Sequence, residues 1–126
     1  MMARLTHAQI LPYKQKLVQA QQGKCAICSH PITAGIDSCL DHDHKTGLIR
    51  GALCRNCNGI EGKVKNLATR AKRDTTPSWW LVKLLTYWEH HLKNPGSVFH
   101  PLHKTEAEKR VKINAKARAR RAAKKG

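Results

Sequence analysis

The sequence predicts a small α+β domain in which helices flank a short β-hairpin and two C-x-x-C knuckles hold the pieces together. A basic C-terminal tail follows. Three observations predict it: Cys25-Ala-Ile-Cys28 and Cys54-Arg-Asn-Cys57 bracket a hairpin-sized insert, that insert carries two β-type runs about a turn, and the segments on either side have helical periodicity with caps. At 126 residues the chain has room for one modest domain, near the lower end of what a single apolar core stabilises well, so a further staple is expected.

The elements follow in chain order. Between Thr6 and Gln22, a capping-box pattern (Thr6 with Gln9) precedes apolar Ile10, Leu11, Leu17 and Val18. Pro12 interrupts this stretch, so the helix is expected to run from about Pro12, tolerated in a first turn, to Gln22, with Gly23 as its stop. The β-type runs are residues 38–40 and 48–53, separated by Lys45-Thr46-Gly47. A helix is expected over 58–73, where Gly59 and Gly62 would let a bulky group such as a phosphate approach the backbone. A stronger helix is marked by Thr76-Pro77, by apolar Trp80, Leu81, Leu84, Leu85, Trp88 and Leu92, and by the terminator Asn94-Pro95-Gly96. The segments are therefore an N-terminal helical stretch (1–22), a metal-bound core (23–73), a Trp-rich helix (74–96) and a basic tail (97–126).

Lys and Arg number 24 against 8 Asp and Glu, a net charge of +16 with an isoelectric point near 10.2. Such a field favours a polyanion. Nucleic acid comes first, because phosphates along a duplex reward distributed cations through counterion release. An anionic membrane surface ranks below it. The N-terminal residues lack the apolar region of a signal peptide and no window has the length of a bilayer span, so an intracellular chain is expected. From residue 104 the chain is Lys, Arg and Ala with few apolar side chains. It has strong helix formers and no partner for them, which leaves open whether DNA must order it.

In a reducing compartment, five cysteines argue for metal rather than disulfides. Two knuckles at this spacing let the thiolates of Cys25, Cys28, Cys54 and Cys57 close a tetrahedral Zn²⁺ site; with no open position for water, its role is structural. Cys39 is assigned to packing on a strand. Between the knuckles, Leu40-Asp41-His42-Asp43-His44 sets four ionisable side chains at the end of a strand. Asp41 and Asp43 would face one way and His42 and His44 the other, unless a bulge re-aims one. Phosphodiester cleavage needs a base for water and a hard cation for the phosphoryl oxygens, and His with Asp supplies both.

The run from Cys25-Ala-Ile-Cys28 through L-D-H-D-H-K-T-G-L-I-R-G-A-L-C-R-N-C-N-G-I-E-G resembles the phage recombination endonuclease VII family of the wider ββα-metal (His-Me finger, HNH-type) nucleases, over about residues 13–66. The resemblance implies a zinc-stabilised ββα-metal fold and a DNA endonuclease. It implies that Asp41 and Asn58 hold one divalent cation, Mg²⁺ with Mn²⁺ as a substitute, and that His42 is the general base. His44 would contact the phosphate or transition state. Glu61, three residues beyond Asn58, would reach the same metal or a bound water. Arg50, Lys63 and Lys65 are candidate DNA phosphate contacts, with solvated surface charge as the alternative for each. In the tail, Lys112, Lys116, Arg118, Arg120 and Arg121 are DNA-binding candidates, beside Lys124 and Lys125.

Family members that resolve branched DNA are intertwined dimers with long helices after the catalytic region. Here residues 74–100 offer one clear helix, which tilts the expectation toward a sequence-tolerant, homing-like cutter over a branched-DNA resolvase. Trp79, Trp80 and Trp88 are read as helix-packing core, with a base-stacking wedge or the seam of a homodimer as alternatives. DNA is the expected partner and a membrane is not. If the chain is phage-encoded, the host cytoplasm is its expected place. The competing class is a non-catalytic zinc-knuckle nucleic-acid binding protein, with a structural RNA-binding protein behind it. Both explain the charge and the cysteines, but neither explains Asp41, His42 and Asn58 in this order.

Overall fold

The structure is a computed structural model that describes residues 3–126. Its elements are helix α1 (His7–Ala20), strands β1 (Ser38–His42) and β2 (Ile49–Cys54), and helices α2 (Arg55–Ala71), α3 (Pro77–Lys93) and α4 (Glu106–Lys125). It is thus a mixed α/β arrangement with one two-stranded sheet. The chain divides at Leu84 and Leu85 into two compact units, described separately below.

In the first unit, α1 begins five residues earlier than the sequence suggests. Thr6 starts the helix, its N–H donating to Gln9 Oε1 at 2.9 Å, and Pro12 lies inside it. Pro12 falls in the second turn and cannot donate to the carbonyl one turn back; its ring is exposed, and the helix continues through it. The helix ends two residues short of the expected Gln22. Gln22 and Gly23 both take left-handed backbone, at φ of 58° and 70°, and the Gly23 N–H closes on the Val18 carbonyl at 2.8 Å.

β1 and β2 pair antiparallel, Ser38 opposite Cys54 and Asp41 opposite Gly51. Between Asp41 and His42 the register slips, so that His42 faces Ile49 and Arg50 is the extra residue of a bulge. The turn between the strands is built by Asp43, whose carboxylate accepts the N–H groups of Lys45 and Thr46 at 2.8 and 2.9 Å while Gly47 takes φ of 76°. Those backbone hydrogen bonds, Thr46's first, hold the Asp43 carboxyl below the usual range.

The outer edge of β2 is met by the Gln21 side chain from the end of α1 and by the Ala26 N–H, which donates to the Ala52 carbonyl at 3.2 Å. Gln21 accepts the Ala52 N–H at Oε1 (2.8 Å) and donates from Nε2 to the Ala52 carbonyl (2.9 Å) and the Lys24 carbonyl (2.8 Å). The buried core is small: Val18, Ile32, Ala52 and Leu53 around Cys25, with Leu17, Ala34, Cys54 and Cys57 packed against it. Each large aliphatic side chain contributes about 1.5–3 kcal/mol. Together they are on the scale of a single structural zinc site, about 10 kcal/mol or more.

α2 starts three residues before the expected Asn58 because Cys54 caps it, its Sγ accepting the Cys57 N–H at 3.3 Å. A Cβ built on Gly59 or Gly62 meets nothing within 4 Å, so no neighbour within the chain demands those glycines. At the start of α3 the Thr76 hydroxyl accepts the Trp79 N–H at 3.1 Å. The tryptophans are not the packed core that their spacing suggests. α3 buries none of its residues; Trp79 and Trp88 are 51% and 58% exposed, and Lys83 Nζ rests 5.5 Å from the Trp79 ring centroid. An apolar stripe at helical spacing needs a facing element to become core; Trp80, Leu81 and Leu84 are only half-buried.

In the second unit the tail is helical. Thr105 and Glu108 form a reciprocal capping box, Glu106 and Glu108 lie in the first turn and Lys124 and Lys125 in the last, all matched to the helix dipole. α4 buries no side chain, so local propensity and capping define it. No helix among the described residues is long and apolar enough to cross a membrane.

Candidate metal centre and carboxylate–histidine site

The four knuckle cysteines meet at the junction of three pieces of chain. The first knuckle is a tight turn after α1: the Cys25 N–H donates to the His30 carbonyl, the Ser29 N–H returns to the Cys25 carbonyl, and Ser29 takes φ of 63°. The second knuckle is the last residue of β2 and the first turn of α2. All four Sγ atoms lie within 4.8 Å of one another, Cys28 and Cys54 at 3.9 Å. In a tetrahedral Zn²⁺ site with Zn–S near 2.3 Å, sulfur atoms sit about 3.8 Å apart, so the donor set fits that cation.

The thiols' electrostatics point the same way. Burial pushes the Cys25 thiol up, but N–H groups of Cys28, Cys54 and Ile27 aimed at its sulfur prevail and bring it down to about 6. Cys57 is pushed up to about 12, chiefly by its contacts with Cys54 and then Cys28, with burial and Cys25 adding to it. Four sulfurs this close cannot all be thiolates without a cation among them. Among the described residues, this is the one cluster of three or more Cys, His, Asp or Glu side chains with metal-binding spacing. Cys39, on β1, is half-buried and outside it.

The second candidate site lies along β1 and the first turns of α2. Asp41 is 8% exposed in the strand, while His42 and His44 are exposed and stack with ring centroids 4.9 Å apart. β1 ends at His42, so Asp43 and His44 lie in the turn rather than on the strand, and the histidine stack is made by the turn and not by strand alternation. Asn58, half-buried, is the fourth residue of α2, and Glu61 follows three residues on.

Arg50 departs from the role of a free phosphate contact. Its Nε donates to Asp41 Oδ2 at 2.7 Å, one terminal nitrogen donates to Asp41 Oδ1 at 3.1 Å, and that nitrogen pairs with Glu61 Oε1 at 3.2 Å. Its hydrogen bonds to Asp41 raise the guanidinium above its ordinary value. No local sequence signal marks this: a bulge opposite the acid–histidine pair turns Arg50 toward Asp41. Lys65 likewise has a partner, Asp43 at 3.9 Å, whereas Lys63 is simply exposed.

Beside these groups runs a groove of about 640 Å³, lined by apolar Ile27, Ile60, Val64 and Leu81 and edged by Arg50 and Lys65. Lys112, Lys116, Arg118, Arg120 and Arg121 are all exposed on α4, in the other unit. If they grip DNA, deleting residues 104–126 leaves zinc content unchanged and weakens binding uniformly across sequences. For every phosphate that the shortened protein no longer neutralises, the slope of log affinity against log salt flattens by about 0.9. Fluorescence-anisotropy titrations at several salt concentrations measure it; an unchanged slope assigns the tail another task.

Known proteins share parts of this sequence. The family described as recombination endonuclease VII matches residues 3–90, more than half of the chain. The Gene 59 protein of Mycobacterium phage L5 is 42% identical over 43 residues, 34% of this chain and 26% of that protein. The Gene 59 protein of Mycobacterium phage D29 is 43% identical over 42 residues, 33% of this chain and 26% of that protein. The chain therefore aligns with only about a quarter of the length of these curated relatives.

Proposed function

The chain belongs to the recombination endonuclease VII family, and from that premise we propose that it is a Mg²⁺-dependent DNA endonuclease, β1, β2 and α2 forming its ββα-metal site. The observation that supports this best is the buried Asp41 carboxylate adjoining exposed His42 on one strand, with Glu61 drawn to the same guanidinium from α2. A desolvated carboxylate needs a cation to meet it; Arg50 does so here, and a divalent cation would take the same place.

Asp41 and Asn58 would hold the divalent cation, which when bound would polarise the phosphoryl oxygens and stabilise the charge they gain. His42 takes the proton of the attacking water as the new P–O bond forms and the old one breaks. His44, stacked on His42, limits the swing of that ring and stands ready for a phosphate oxygen. Glu61 would support the cation from α2. Zinc on the four cysteines would hold the Cys54-capped start of α2, and with it Asn58 and Glu61, against β1.

The substrate proposed is branched DNA. The sequence-based preference for a homing-like cutter rests on one helix in residues 74–100. The family's description as a recombination enzyme and the second long exposed helix, α4, reverse that preference. A second reading, a zinc-knuckle nucleic-acid binding protein without catalysis, is favoured by one observation: Arg50 already neutralises Asp41. Incubating the protein with supercoiled plasmid and with a four-way junction, with and without Mg²⁺, separates them. Resolution of the junction only with Mg²⁺ is expected; tight binding with no cleavage of either substrate would leave the non-catalytic reading standing.

A further inference from the structure

The Arg50 guanidinium sits where two carboxylates from different elements converge. It forms a two-pronged pair with Asp41 on β1 and reaches Glu61 on α2, although its side chain remains 37% exposed. In a regular ladder Arg50 would stand opposite His42, on the face away from Asp41; the bulge breaks that alternation. Among the described residues, the ion pairs of Asp41 and Glu61 both go to this one side chain. Lys65 is engaged with Asp43 instead.

We propose that Arg50 is a resident placeholder cation: it holds Asp41 and Glu61 together while no divalent cation is present, and a divalent cation must displace it to bind. The inference rests on the metal-dependent reading above and adds to it a built-in competitor. Desolvated Asp41 needs a positive partner at all times, and a guanidinium supplies it with fork geometry matched to a carboxylate. Both Asp41 oxygens are engaged by the Arg50 fork, so a divalent cation approaching them meets a positive charge already in place and must push it aside to come within ligand distance. Metal affinity is therefore lowered by the strength of the pair that must first be broken, and the site is held preformed until then. The released guanidinium stays at the edge of the adjoining groove, where an anionic backbone would lie.

The test uses the full-length, zinc-loaded protein without DNA and Mn²⁺ as the probe, in calorimetric titrations of wild type, Arg50→Gln and Arg50→Lys. Arg50→Gln is expected to bind Mn²⁺ about tenfold more tightly, the equivalent of one charge-assisted hydrogen bond removed from the competing state. Arg50→Lys, which keeps the charge but loses the fork, should fall between the two and remain folded even if Arg50→Gln does not. Without Mn²⁺ the melting temperature of Arg50→Gln should lie below that of wild type, and saturating Mn²⁺ should raise it by more than it raises wild type. Loss of one positive charge by itself would tighten binding in Arg50→Gln but leave Arg50→Lys at the wild-type value, so the intermediate affinity of Arg50→Lys is what marks displacement of the fork. Folded variants that bind Mn²⁺ as weakly as wild type, or more weakly, overturn the placeholder and leave the nuclease reading intact. If neither wild type nor variants bind Mn²⁺, both fall together.

Discussion

His42→Ala is expected to lower the rate of phosphodiester cleavage by roughly 10² to 10⁴ while DNA affinity stays close to that of wild type, since a general base acts mainly in the transition state. The geometry makes this substitution clean. His42 is exposed at the end of β1, and its described contact is the stack on His44, so removing the ring empties no core and orphans no buried polar group. Asp41→Ala is a different perturbation. It leaves Arg50 with Glu61 alone and removes a buried carboxylate, so stability as well as Mg²⁺ dependence should change. Single-turnover cleavage and equilibrium binding on one branched substrate measure both effects. Cleavage by His42→Ala at the wild-type rate would remove His42 from the role of base without touching the enzyme hypothesis.

Replacing Cys25 or Cys57 by Ser should unfold the first unit outright. The apolar core has few large side chains, and a structural zinc site contributes about 10 kcal/mol or more, comparable with or greater than the net stability of most domains. Cys25 is 2% exposed inside that core, and its sulfur also accepts the Cys54 N–H at 3.3 Å, so the substitution strikes packing and metal together. Cys57 lies in the first turn of α2, and its loss would free the start of that helix. Elemental analysis should find one zinc per wild-type chain, and circular dichroism should report the collapse in each variant. A soluble, folded, zinc-free Cys57→Ser protein would show that the cluster is not structural.

Some of this is legible in the sequence and some is not, for physical reasons that differ from residue to residue. The paired cysteines are local in composition and rigid in spacing, so the cluster of four sulfurs can be read directly. The hairpin follows from a Gly turn between β-type runs. Proline misleads at α1 because a single exposed Pro in the second turn does not end a helix whose start is already fixed by a capping box at Thr6 and Gln9. The tryptophans mislead because periodicity marks which face is apolar but not whether anything covers it. Arg50 is out of reach since its direction depends on a one-residue slip in pairing, a property of two strands together. Gln21 leaves no signal at all: a glutamine after a helix is ordinary, and its importance arises only from the strand it lands beside.

That glutamine has a bearing on how the protein behaves in company. A two-stranded sheet has two open borders, each able to template a strand from another molecule. By meeting both the N–H and the C=O of Ala52 with a side-chain amide, Gln21 occupies the border of β2 with a group that cannot be extended by a further strand. At the high local concentrations that a strongly cationic protein reaches on nucleic acid, copies crowd together, and a bare border there would invite strand exchange between neighbours. The Gln21 amide, with the Ala26 N–H beside it, closes the β2 border to such exchange.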